Sequence, residues 1–167
     1  MSDGKPKDGI FEGYDKNGEM PISSYATLAG AFNLIFAFFL LVSRATGQRI
    51  PERIETRDIL IFGAATHKLS WILAREPITS PIRAPFTELE EVKSPTKAEE
   101  KPRGTELQRT IGELLTCHFC LGMWVSGFFA YAFVLFPAAS RLIAAVFAML
   151  TVSDHLHQTY KALMNRA

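Results

Sequence analysis

Cysteine is almost absent: the 167 residues hold two, Cys117 and Cys120. A bridge between positions three apart would close a tiny loop, so this is not a small secreted scaffold framed by disulfides. Familiar catalytic signatures are missing too. There is no GxSxG elbow, phosphate loop, HExxH or dinucleotide fingerprint, which leaves no positive argument for an enzyme. Charge of one sign is not in surplus either, and a net charge of +1 gives no general electrostatic case for nucleic acid as a partner. No internal repeat is visible.

The most informative absence is local. From Pro21 to Ser43, and again from Leu114 to Ser140, there is no Asp, Glu, Lys or Arg. A bilayer core about 30 Å thick takes roughly 20 apolar helical residues, so either run can span it. In water each would be a helix apolar all round, with no second layer in so short a chain to cover both. These runs predict an all-α integral membrane bundle of three to four transmembrane helices, with the lipid bilayer as its first partner. The first run follows a tail carrying both signs of charge, exceeds the roughly 7–15 apolar residues of a signal peptide, and lacks an Ala-x-Ala site after it. It is read as an uncleaved anchor.

Along the chain, residues 1–20 read as a disordered polar tail and 21–167 as a single membrane domain, with helices expected near 22–43, 58–74, 105–136 and 141–160. The segment 58–74 is ambiguous, because His67 and Lys68 sit near its middle. It is either a span whose polar pair faces the bundle interior or a helix in the interface with Lys68 snorkelling. Four prolines between residues 77 and 95 forbid a continuing helix, and 77–104 is expected to be a charged, solvated cytoplasmic loop. Thr105 and Gln108 have the spacing of a capping box opening the next helix. Counting Lys and Arg in the short loops allows four spans with the N-terminus inside, or three with it outside. Both solutions put the C-terminus in the cytoplasm.

Cys117-His-Phe-Cys120 is the sharpest local feature. Residues three apart share a helix face, and reflection about a turn at Pro137 brings both sulfurs level with residues 154–158. A Zn²⁺ site of Cys117, Cys120 and His157, with Asp154 as ligand or support, is one reading. Thiol redox chemistry is another, and plain packing of small cysteines is the leading one. Gly122, Ser126 and Ala130 recur every four residues and mark a face that a neighbouring helix can approach closely. His67 and Lys68 are candidates for a substrate or proton site, which would need an oligomer, or a snorkelling pair. Arg75, Glu76 and Arg83 bracket the prolines as a candidate headgroup-level cluster.

Two blocks together resemble the bacterial domain-of-unknown-function family 1360. HKLSWILAREPITSPIRAPF (His67–Phe86) is similar to the family's helix followed by an acidic residue, Ile-Thr and Pro-x-Arg. IGELLTCHFCLGMW (Ile111–Trp124) is similar to its Gly-Glu-Leu-Leu-Thr-Cys-x-x-Cys-Leu-x-x-Trp signature. Glu76 stands where that pattern has Asp, and His118-Phe119 where it has Pro followed by an aromatic. The resemblance covers about residues 55–157, and the first apolar run is an addition to it. It implies a small multi-pass protein of the bacterial inner membrane, sometimes linked to sporulation, with Glu113, Cys117, Cys120, Trp124 and Arg83 as candidate functional positions. The expected mode of action is non-enzymatic, through helix packing and contact with cytoplasmic partners, a second copy or another membrane protein, with no cofactor unless Zn²⁺ binds.

Overall fold

The structure is a computed structural model that describes residues 22–48, 50–94 and 97–165. The expected disordered tail lies outside the described residues. Among the described residues, six α-helices, one 3₁₀ turn and a two-stranded sheet follow in the order α1 (Ile22–Ala45), α2 (Thr56–Arg75), a 3₁₀ turn (Pro77–Thr79), α3 (Ser80–Arg83), β1 (Thr87–Ser94), β2 (Lys97–Pro102), α4 (Glu106–Thr116), α5 (His118–Leu135) and α6 (Pro137–Met164). Three of these, α1, α5 and α6, are long and apolar enough to cross a membrane.

Each boundary has a local cause. Helix α1 stops where Gly47 takes a positive φ of 68°. That turn lets the Gln48 N–H reach Ser43 O at 2.9 Å and the Gly47 N–H reach Arg44 O, which satisfies carbonyls the helix would leave open. Helix α2 ends as Glu76 becomes extended before Pro77. Proline opens α6 at its first helical position, where a missing N–H costs nothing.

Helix α2 packs along both members of the α5–α6 hairpin. The buried cluster there is Ala65, Val125, Phe129 and Ala144, flanked by Ile61, Phe62, Leu69, Leu73 and Phe147. Ala65 on α2 and Ala144 on α6 are fully buried, so small side chains let those two backbones come close. Helix α1 touches this unit from one side, through Phe32 against Trp124 (5.4 Å between ring centroids) and Phe39 against Tyr131 (4.4 Å).

Three expectations need correction. The fold is not all helix, because the stretch read as a solvated loop forms an antiparallel hairpin with Leu89 opposite Glu100 and Val92 opposite Ala98. A bulge between Leu89 and Glu91 keeps Leu89 and Val92 on one face, with Thr87, Ala98 and Glu100, over the turn at Pro77, Ser80 and Ala84. The helix expected over 105–136 is two helices, broken at Cys117 (φ −105°, ψ 101°). Thr105 does stand at the N-cap of α4, but its side chain makes no cap bond. Gln108 donates instead to the Pro85 carbonyl at 3.0 Å, so the box gives way to a tie between α4 and the proline turn.

Candidate functional site

The polar centre of the molecule is the corner where α2 ends and the hairpin begins. Arg83 is 2% exposed, and a buried guanidinium is tolerable only when its donors are used. Here all three nitrogens are engaged. Nε and Nη2 donate to the two Glu100 oxygens at 2.9 and 2.7 Å, a bidentate pair. Nη1 donates to Thr79 Oγ1 at 2.6 Å and to the Leu73 carbonyl at 2.7 Å, one of the carbonyls left open at the end of α2. Ser80 and Thr87 add their hydroxyls to the Glu100 carboxylate. Above all the Arg83 contact, helped by these two hydroxyls, holds the Glu100 carboxyl down at about 2, against the burial that pushes it up.

Next to this corner, α4 lies directly on the proline turn. A Cβ on Gly112 would lie against the Phe86 carbonyl and 3.1 Å from the Pro102 side chain, so only glycine fits. The other face of α4 borders a groove of about 540 Å³ shared with α1 and the start of α5. Tyr25, Glu113, Cys117, Phe119, Cys120 and Trp124 are among its walls. Tyr25 donates its hydroxyl to Glu113, and Arg109 Nε reaches the other Glu113 oxygen at 3.1 Å. Cys117 and Cys120 are joined as a disulfide. Cys117 is also the N-cap of α5, its Sγ accepting the Cys120 N–H at 3.2 Å.

The remaining candidates are placed elsewhere. Lys68 forms an ion pair with Asp154 at 2.7 Å, and the His67 ring lies 6.4 Å from that of His155. Among the described residues no three His, Cys, Asp or Glu side chains gather in a group that could hold a metal, and Cys117, Cys120, Asp154 and His157 form none. The reflection that aligned them left out α2, which packs along both helices and takes the Asp154 carboxylate for Lys68. Glu76 serves through its carbonyl, which accepts from Arg83 at 3.2 Å; the carboxylate that holds Arg83 is Glu100. Of the small-residue stripe, Gly122 faces Ser70 of α2, whereas Ser126 and Ala130 are exposed beside an apolar crevice that α1 and α2 border. The glycine that admits α1 is Gly127, where a Cβ would come within 3.1 Å of the Phe32 ring.

Reading the sequence alone missed Glu100, Gly112, Tyr25 and the Asp58–Arg141 pair. Asp58 is almost fully buried and accepts both Arg141 Nε and Nη2, at 2.9 and 2.8 Å, at the far end of the bundle. The one signal for it was Arg141, the single charged residue between Glu113 and Asp154.

The family model described as a protein of unknown function, DUF1360, matches residues 61–160. The chain belongs to the DUF1360 family. Within it, sporulation protein YjcA of Bacillus subtilis strain 168 is 30% identical over 94 residues, covering 54% of this chain and 80% of the relative. No solved structure matches significantly. The corner, the disulfide and the α2–α5–α6 unit between residues 61 and 160 lie inside the DUF1360 match, whereas α1 and its Tyr25 lie outside it.

Proposed function

We propose that this DUF1360 chain is a four-span protein of the bacterial inner membrane, with both termini in the cytoplasm. In this reading it acts without catalysis, as a packed helical unit that presents its hairpin to a cytoplasmic partner or a second copy. The observation that carries the reading is the course of α2. Its start meets the α5–α6 turn through Asp58 and Arg141, and Trp71 near its end meets His118 at the start of α5, 5.1 Å between rings. Helix α2 therefore runs the length of α5. Asp58 and Lys68 turn toward α6, where Arg141 and Asp154 neutralise them. Paired charges facing protein are the form in which such groups enter a bilayer. Leu34, Phe38 and Leu41 of α1 and Leu142, Met149 and Val152 of α6 are mostly exposed, an outer surface suited to lipid.

Reporter fusions test the arrangement. A cytoplasm-active reporter is expected to work at both termini and to fail in the 46–55 connection. Activity at the C-terminus and in that connection, with none at the N-terminus, would instead leave α2 in the interface and retire the four-span reading.

A further inference from the structure

We propose that the Cys117–Cys120 disulfide is a redox-active pair that exchanges with the dithiol of an apolar peptide segment seated in the adjoining groove. This goes beyond the topology proposed above and holds whether or not α2 crosses the membrane. Three features carry it. The bridge closes only a four-residue loop, with Cα atoms 5.2 Å apart, so it holds no distant parts of the chain together. It is not part of the buried core, since Cys117 is half-buried and Cys120 is exposed. It also opens onto the groove of about 540 Å³ walled by Leu28, Phe119, Met123 and Trp124, apolar and aromatic side chains that suit an apolar segment.

The geometry assigns a role to each sulfur. A partner thiolate attacks the exposed Cys120 Sγ, forming a mixed disulfide while the old S–S bond breaks and its electron pair leaves on Cys117 Sγ. That sulfur already accepts the Cys120 N–H at the start of α5, where a helix end favours negative charge. The partner's second thiolate then attacks the partner sulfur of the mixed disulfide and releases Cys120. The partner dithiol is oxidised by two electrons, the chain's disulfide is reduced, and the two protons lost by the partner end on Cys117 and Cys120. No metal or further oxidant enters.

Full-length protein in detergent, equilibrated with glutathione buffers and labelled with a polyethylene-glycol maleimide, tests the exchange. Both thiols are expected to appear together as the reduced fraction of glutathione rises, with helical circular dichroism retained. A bridge that yields only to excess dithiothreitol, or a reduced chain that loses its helicity, would make it a structural staple and overturn the proposal. The groove is tested with a two-cysteine peptide flanked by leucines against the same peptide flanked by serines. The leucine peptide should reduce the bridge about tenfold faster, and Met123→Ser should narrow that gap. Equal rates for the two peptides would remove the groove from the reaction and refute this choice of partner.

Discussion

At the corner around Arg83 every guanidinium nitrogen meets an oxygen, while along the seam between α1 and α5 aromatic rings meet with no polar bond among them. The two regions are both contacts between distant parts of the chain, yet they respond differently to damage. A buried ion pair is intolerant of losing one member, because the survivor keeps its desolvation cost and loses its compensation. Ring contacts of about 0.5–1.5 kcal/mol each degrade gradually. The corner, inside the DUF1360 match, fixes the hairpin in one place. The seam, built with a helix outside the match, adds α1 without demanding a single geometry.

The sharpest way to break this contrast is Arg83→Met. It keeps an apolar stem of similar length and leaves Glu100 buried without its cation, at a cost of about 3–5 kcal/mol. Limited proteolysis should then cut the strands Thr87–Ser94 and Lys97–Pro102 faster than in the wild type. Acid acts on the same pair more gently. The folded Glu100 carboxyl sits at about 2, below its ordinary value of 4.5. A depressed folded value means that this stabilisation is complete above pH 4.5 and is lost as pH falls from 4.5 toward 2. Hairpin protection measured across that window should fade in the wild type, while Glu100→Gln should be weaker at neutral pH and nearly flat from pH 5 to 3.

Gly112→Ala is the next largest test, at about 1–3 kcal/mol, because the added methyl must push α4 off the Phe86 carbonyl and Pro102. Thermal unfolding in detergent measures it. Gly127→Ala gives the matching measurement on the seam. There the obstacle is the edge of the Phe32 ring, which can swing, so the loss should be smaller. Equal losses at the two glycines would show the seam to be as exacting as the corner.

What the sequence disclosed follows the same division. The apolar stretches of α1, α5 and α6 are legible because absence of charge is a local property, readable without knowing any partner. The corner is not local: Arg83 and Glu100 are 17 positions apart, and Glu100 sits among Glu88, Glu90, Glu99 and Lys101, where it looks like one more solvated charge. The hairpin stayed hidden because its bulge spoils the strict alternation of Leu89 and Val92 that would have announced a strand. The break at Cys117 was equally silent, since its neighbours all suit a continuing helix. Of the site, the signature led to the groove through Glu113, Cys117, Cys120 and Trp124, but Tyr25 on α1 had no pattern linking it to Glu113 across 88 positions.

The smallest expected effect is the most discriminating. Tyr131 Oη is buried with no hydrogen-bond partner among the described residues, while the Tyr131 ring stacks on Phe39 at 4.4 Å and on Phe36 at 6.1 Å. If the seam holds by ring contact alone, Tyr131→Phe keeps all of that and removes only an unpaired hydroxyl, so stability should change by less than about 0.5 kcal/mol or rise slightly. Tyr131→Ala should lose about 1–2 kcal/mol with the rings. At the corner the corresponding removal of one hydroxyl, Thr79→Val, deprives Arg83 Nη1 of its 2.6 Å acceptor and should cost about 1–3 kcal/mol at nearly constant volume. Two hydroxyl deletions with opposite outcomes would separate a contact built on satisfied polarity from one built on shape. A loss above 1 kcal/mol in Tyr131→Phe would instead show that the seam, too, depends on a polar bond.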